Sequence, residues 1–99
     1  MKSTQDVMRL ASPPELLFDN DRVRVLRYIF KPGEHAQMQS HPDHITYTTK
    51  EGKLMSVSPF GEAETLDYEA GRVLFFEAEA HEVTNIGGPE TELILVELK

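Results

Sequence analysis

The sequence predicts an all-β chain, an antiparallel sandwich or barrel of short strands, and three observations carry that prediction. Runs of alternating or β-branched residues recur about every ten positions. Glycine and proline stand in the intervals between them. No stretch sustains a helical period. Ninety-nine residues then bound the chain to one domain with a single core.

Residues 1–20 read as an N-terminal arm. Pro13 and Pro14 exclude a continuous helix there and favour an extended path, with Leu16, Leu17 and Phe18 expected to anchor it. The arm is a candidate for packing across a dimer; folding back on its own barrel is the alternative, and the sequence leaves both open. Residues 21–99 make the barrel domain. Arg22 to Phe30 is rich in β-branched and aromatic residues, and its alternation slips between Val25 and Leu26, as at a bulge or in a strand buried on both faces. Lys31-Pro32-Gly33-Glu34 turns the chain. Ile45 to Thr49 suits a pleated surface. Lys53 to Ser58 and Ala63 to Tyr68 alternate on either side of Pro59-Phe60-Gly61-Glu62, as a hairpin does. Val73 to Phe76 is a short apolar run consistent with a buried strand, His81 to Ile86 gives another strand, and Thr91 to Leu98 is the last and most apolar. Strands this short must close their edges by barrel formation, by dimerisation, or by both.

Composition removes several functions. Without cysteine there is no disulfide framework, thiolate metal site or cysteine nucleophile. A net charge of -7 repels phosphate backbones and anionic membrane surfaces, so neither nucleic acid nor membrane is an expected partner. The first residues lack the apolar core of a signal peptide, and no apolar run approaches bilayer-spanning length, which leads to the expectation of a cytoplasmic protein.

The four histidines all lie between Pro32 and Asn85, three of them within residues 35–44 and His81 across the hairpin. Histidine is the commonest metal ligand and the side chain that titrates nearest neutrality, so chemistry is sought there first. Around these residues the chain resembles the small single-domain cupins. The family's first motif is a glycine, five residues, a His-x-His pair, three or four residues, a glutamate, six residues and a glycine; Gly33, His41, Pro42 and Gly52 stand in its pattern. Gly71, His81 and Asn85 follow the second motif, apart from one missing residue before the histidine. The chain departs from both motifs. Gln39 replaces the first histidine, the glutamate position falls on Ile45 or, one residue earlier, on His44, and Glu77 and Glu79 replace a proline and a glycine. The resemblance implies a single jelly-roll barrel, a homodimer, and a divalent metal held by the motif positions, of which this chain keeps His41 and His81.

On a strand, Gln39 and His41 share a face. With His81 from a neighbouring strand and His44 as a fourth ligand, the set would suit iron, manganese, nickel or zinc. Without metal, His41 or His81 would serve as general base. Tyr47, in the strand after the histidines, is the tyrosine expected to put its hydroxyl in the pocket. Arg22, Arg24 and Arg27 read as an exposed strand face paired with Glu64, Glu92 or Glu97, Met38 and Met55 as interior filling, and Asn85 as a cap for loose backbone groups. The function expected is an enzyme of the cupin type acting on a small polar metabolite in the barrel, with or without a weakly held metal. The alternative is a non-catalytic binding cupin that has lost part of its metal site.

Overall fold

The computed structural model describes residues 9–99, which contain no helix. Ten strands follow one another: β1 (Arg9–Leu10), β2 (Glu15–Asp19), β3 (Val23–Phe30), β4 (Glu34–His41), β5 (His44–Lys50), β6 (Gly52–Val57), β7 (Ala63–Tyr68), β8 (Val73–Phe76), β9 (Glu79–Asn85) and β10 (Thr91–Leu98). They build two five-stranded sheets in the orders β1-β4-β9-β6-β7 and β2-β3-β10-β5-β8. All pairings are antiparallel except β1 beside β4. From β3 to β10 the chain changes sheet at every connection but the β6–β7 hairpin. That alternation makes the jelly roll, and it draws the interior side chains from both sheets.

Strand period decides what lies inside. Along β10, Thr91, Leu93, Leu95 and Glu97 are buried while the residues between them are half-buried. Leu93 and Leu95 meet Tyr28, Phe30 and Leu54 in the core. A leucine buried this way contributes about 2 kcal/mol. The slip in β3 belongs to its edge: the register with β2 shifts between Leu16 and Phe18. Leu16, Leu17 and Phe18 do not anchor the arm, because β2 is an edge strand and all five of its residues are exposed. The described part of the arm pairs within the chain, β1 on β4 and β2 on β3. Met38 is exposed and Met55 half-buried rather than interior. Among the described residues no helix is long and apolar enough to cross a membrane.

One end of the barrel is pinned by Asn85, which is fully buried. Its Nδ2 donates to the carbonyls of Phe30 at 2.9 Å and Pro89 at 2.8 Å, and its Oδ1 accepts from the amides of Gly87 at 3.2 Å and Gly88 at 3.0 Å. Its own carbonyl accepts from the amide of Gly33 at 2.9 Å, in the Pro-Gly turn whose φ of 81° suits only glycine well. Beside it Gly52 lies so close to buried Thr91 that a Cβ would collide with the threonine side chain. Asn85→Ala should therefore lower the free energy of unfolding in urea by about 2–4 kcal/mol, since it orphans buried backbone groups. Asn85→Asp should not restore it, because a carboxylate cannot donate to the Phe30 and Pro89 carbonyls.

Candidate functional site

The opposite end of the barrel holds three of the four histidines, His41, His44 and His81. β4 ends at His41, β5 begins at His44, β9 begins two residues before His81, and β10 brings Glu97 near its own end. In the β4–β9 ladder Gln39 lies across from His81 and His41 across from Glu79. In the other sheet His44 lies across from Glu97 and Phe76. The two sheets thus bring side chains together over a cavity of about 90 Å³, closed on its inner side by Phe30, Leu54, Leu93 and Leu95.

A bulge in β4 sets which residues reach this cavity. Ala36 pairs with Val83 and Gln39 with His81, so β4 has one residue more than its partner over the interval. Ala36, Gln39 and His41 all line the cavity in consequence, and His35, which lacks a place there, faces the other way. Strand parity alone groups His35 with Gln39 and His41; the extra residue separates them.

His41 and His44 are 8% and 2% exposed, and their ring centroids lie 5.4 Å apart, as do those of His41 and His81. His41 Nδ1 stands 2.9 Å from Glu97 Oε2, and His44 Nδ1 2.8 Å from the carbonyl oxygen of Pro42. Both oxygens are acceptors, so each Nδ1 donates, and Nε2 is the nitrogen that carries the lone pair in the corresponding neutral tautomer. His81 differs. Glu79 Oε2 is 3.3 Å from its Nδ1 but outside hydrogen-bonding geometry, which leaves that nitrogen buried without a partner. Thr46 Oγ1, on the same cavity, is also buried and partnerless. Buried polar atoms are almost always satisfied, so these two atoms give the cavity hydrogen-bonding capacity that the protein itself leaves unused.

Electrostatics sharpen the picture. Burial holds the His81 imidazole below the usual histidine value; Glu79 opposes this, and His41 and His44 add to it. Burial and the Glu97 carboxylate push the Tyr28 phenol up to about 12, and burial with Glu79 and Glu64 does the same for Tyr68. Both hydroxyls therefore stay protonated, and Tyr28 donates to Gln39 Oε1 at 3.2 Å.

Of the site residues expected from the sequence, Gln39, His41, His44 and His81 come together on the cavity. Between His44 and Ile45, it is His44 that faces inward; Ile45 pairs on the outer face with Phe75 and Val96. Tyr47 is a correction. It sits between the buried Thr46 and Thr48, so the two-residue period turns it to the outer face, 43% exposed and away from the cavity. Among the arginines, Arg27 pairs with Glu15 at 2.8 Å and Glu92 at 3.9 Å, and Arg24 with Asp19 rather than Glu97. Sequence reasoning missed Glu97 and Glu79 as parts of the site, and among the tyrosines it preferred Tyr47 to Tyr28, which lines the cavity. For Glu97 a signal existed: it follows Leu93 and Leu95 at the same parity, a carboxylate where the strand otherwise presents core.

No protein-family model matches the sequence, and no curated protein matches it. Solved structures do. A cupin domain from Bordetella pertussis Tohama I superposes with a TM-score of 0.84 at 26% identity, covering 94% of this chain and 98% of that one. A cupin superfamily protein from Desulfitobacterium hafniense gives 0.66 at 17% identity over 96% of this chain and 84% of that one. An RmlC-like cupin from Methanocaldococcus jannaschii, with a double-stranded β-helix fold, gives 0.69 at 15% identity over 98% and 86%.

His81 yields a prediction in pH. The unfolded chain returns this group to its usual value of 6.5, so below that pH the unfolded state binds the extra proton. The stability contributed by neutral His81 is full above the usual value and is lost as pH falls below it. Thermal melts at about pH 7.5 and about pH 5 should show a larger loss for the native chain than for His81→Asn.

Proposed function

This chain is a small cupin, and we propose that it is an enzyme acting on a small polar metabolite in the cavity, with a weakly held divalent metal as cofactor. The observation that carries the reading is the convergence of His41, His44 and His81, from three strands and both sheets, on one cavity. The donor set fits iron, manganese, nickel or zinc: imidazole nitrogens, one amide oxygen and no thiolate. Tying Nδ1 of a histidine to a carboxylate or carbonyl, as Glu97 and Pro42 do, is the usual support for ligation through Nε2. Nε2 of His41 and His44, the ring of His81 and Oε1 of Gln39 would hold the ion. Among the described residues no three His, Asp or Glu side chains already stand close enough to ligate one. His81, whose Nδ1 has no hydrogen bond, is the group left to turn toward it.

Such an ion, when bound, polarises a carbonyl or carboxylate oxygen. The chain's own groups do the rest. Tyr68 presents a protonated hydroxyl to an acceptor oxygen of the metabolite, while Tyr28 spends its proton on Gln39 Oε1 and orients that amide. Glu97 fixes the tautomer of His41. Phe30, Leu54, Leu93 and Leu95 keep the inner side dry, which strengthens each polar contact. Binding without chemistry is the second reading. It is favoured by Gln39, whose Oε1 already accepts from Tyr28 and whose amide is a poorer ligand than the histidine of the family motif.

Elemental analysis of protein prepared without chelator and titrated with each of the four metals tests the proposal. The expected result is near-stoichiometric metal in the native chain, lost in His41→Ala and His81→Ala and unchanged in His35→Ala, which faces away from the cavity. Glu97→Gln should weaken metal affinity by about 10–100-fold through the orientation of His41. Equal metal content across the histidine variants would sink the assigned site, and a native chain that takes up none would favour the second reading.

A further inference from the structure

Histidines apart, the ionisable charge that lines the cavity is all of one sign. Among the described residues no lysine or arginine reaches it, while Glu64 of β7 and Glu79 of β9 do. The cations pair elsewhere: Arg27 with Glu15 and Glu92, Arg24 and Lys99 with Asp19, Lys50 with Glu90, Lys53 with Asp67 and Arg72 with Glu69. Strand period explains how Glu64 turns inward. With Leu66 and Tyr68 it takes the inner face of β7, across from Ser56 of β6, which also lines the cavity. An inward charge guards an edge strand such as β7 against pairing with another chain. β9 lies inside its sheet and has no edge to guard, so Glu79 needs another reason. The two carboxylates act on the same group: after burial, Glu79 and Glu64 are what push the Tyr68 hydroxyl up to about 12. The facing sheet adds an independent observation. Thr46 of β5 is 3% exposed and lines the same cavity, and its Oγ1 has no hydrogen-bond partner, whereas a hydroxyl at that depth normally has one.

We propose that the cavity selects a small aliphatic amine carrying a hydroxyl or carbonyl oxygen, its ammonium group held by Glu64 and Glu79 and its oxygen hydrogen-bonded to Thr46 on the opposite sheet. Such selection presupposes the small-molecule site proposed above, and it is the same whether that site catalyses or only binds. Two carboxylates without a neighbouring lysine or arginine repel an anion and accept an ammonium, whose three donors suit their oxygens. The apolar inner wall of Leu54, Leu93 and Leu95 strengthens that preference, because charges interact more strongly beside a low-dielectric surface than in open water. Size restricts the amine to a compact one. At about 90 Å³ the cavity is well below the ~300 Å³ at which sites for drug-sized ligands begin. A net charge of -7 draws cations toward the whole surface. Two carboxylates facing a deep, unpartnered hydroxyl turn that general attraction into recognition of one molecule by both of its ends.

Titration of the native chain with 3-amino-1-propanol, 1,3-propanediol and 3-hydroxypropanoate, followed by amide NMR, tests the selection with three probes of one chain length that differ in charge. The amine should bind at least about 10-fold more tightly than the diol, and the hydroxy acid more weakly than either. Its shifts should gather at Thr46, Ser56, Glu64 and Glu79. Glu64→Gln and, separately, Glu79→Gln should weaken amine binding by about 10-fold and leave the diol unchanged. Thr46→Val should weaken both amine and diol. Glu51→Gln, which removes an exposed carboxylate at the Asn85 end of the barrel, should change neither. A diol or hydroxy acid that binds as tightly as the amine would overturn the charge selection and leave the small-molecule site standing. An amine that binds equally to the native chain and to both glutamine variants would overturn it by placing the ammonium elsewhere. No shift at these residues from any of the three at about 100 mM would overturn the small-molecule site, and the selection with it.

Discussion

Asn85, sealed from solvent, satisfies four backbone groups with its side-chain amide and a fifth with its own carbonyl. In doing so it joins the end of β3, the start of β4, the end of β9 and the turn into β10, which otherwise belong to different sheets. Close packing of Gly52 against Thr91 completes the same end. A barrel pinned there has its strands' other ends free to present side chains, and that is where His41, His44, His81 and Glu97 are found. The fold and the candidate site therefore divide the barrel lengthwise, one end held by backbone hydrogen bonds and the other given to ionisable groups.

That division has an energetic counterpart. Among the described residues five apolar side chains are buried in the core, while His41, His44, Thr46, Thr48 and Glu97 occupy interior positions of comparable depth. Replacing such residues with leucine would add apolar burial and remove unsatisfied atoms such as Thr46 Oγ1. The chain forgoes that stability in the half of the barrel where the cavity lies. Proteins commonly accept local violations of good packing at functional sites and compensate elsewhere, and the Asn85 end is where compensation is visible here.

Strand existence, the β6–β7 hairpin and the cluster of histidines were legible because each depends on local pattern: period-two alternation, a Pro-Gly or Pro-x-Gly turn, a spacing along one strand. What lay beyond reach depends on pairing between distant strands. Parity tells that Thr46 and Thr48 share a face and Tyr47 the other; it does not tell which face is inside, and Tyr47 fell on the wrong side for that reason. Glu97 reaches His41 across 56 residues of sequence, a contact that only the closure of one sheet on the other creates. Leu16, Leu17 and Phe18 read as an anchor because apolar triplets usually bury themselves, yet an edge strand has a neighbour on one side only.

The extra residue of β4 between Ala36 and Gln39 also bears on how this strand can change through descent. Loss of one codon within that interval would restore a regular pleat and still leave Ala36, Gln39 and His41 on the inner face, at the cost of Gln37's place in the cavity lining. Loss of Ser40 would instead set Gln39 and His41 on opposite faces and take one of them out of the cavity. Along a single strand, then, shortening is tolerable in one place and ruinous two positions later. A lineage that drifts in motif spacing between Gly33 and Gln39 could do so without giving up its histidines.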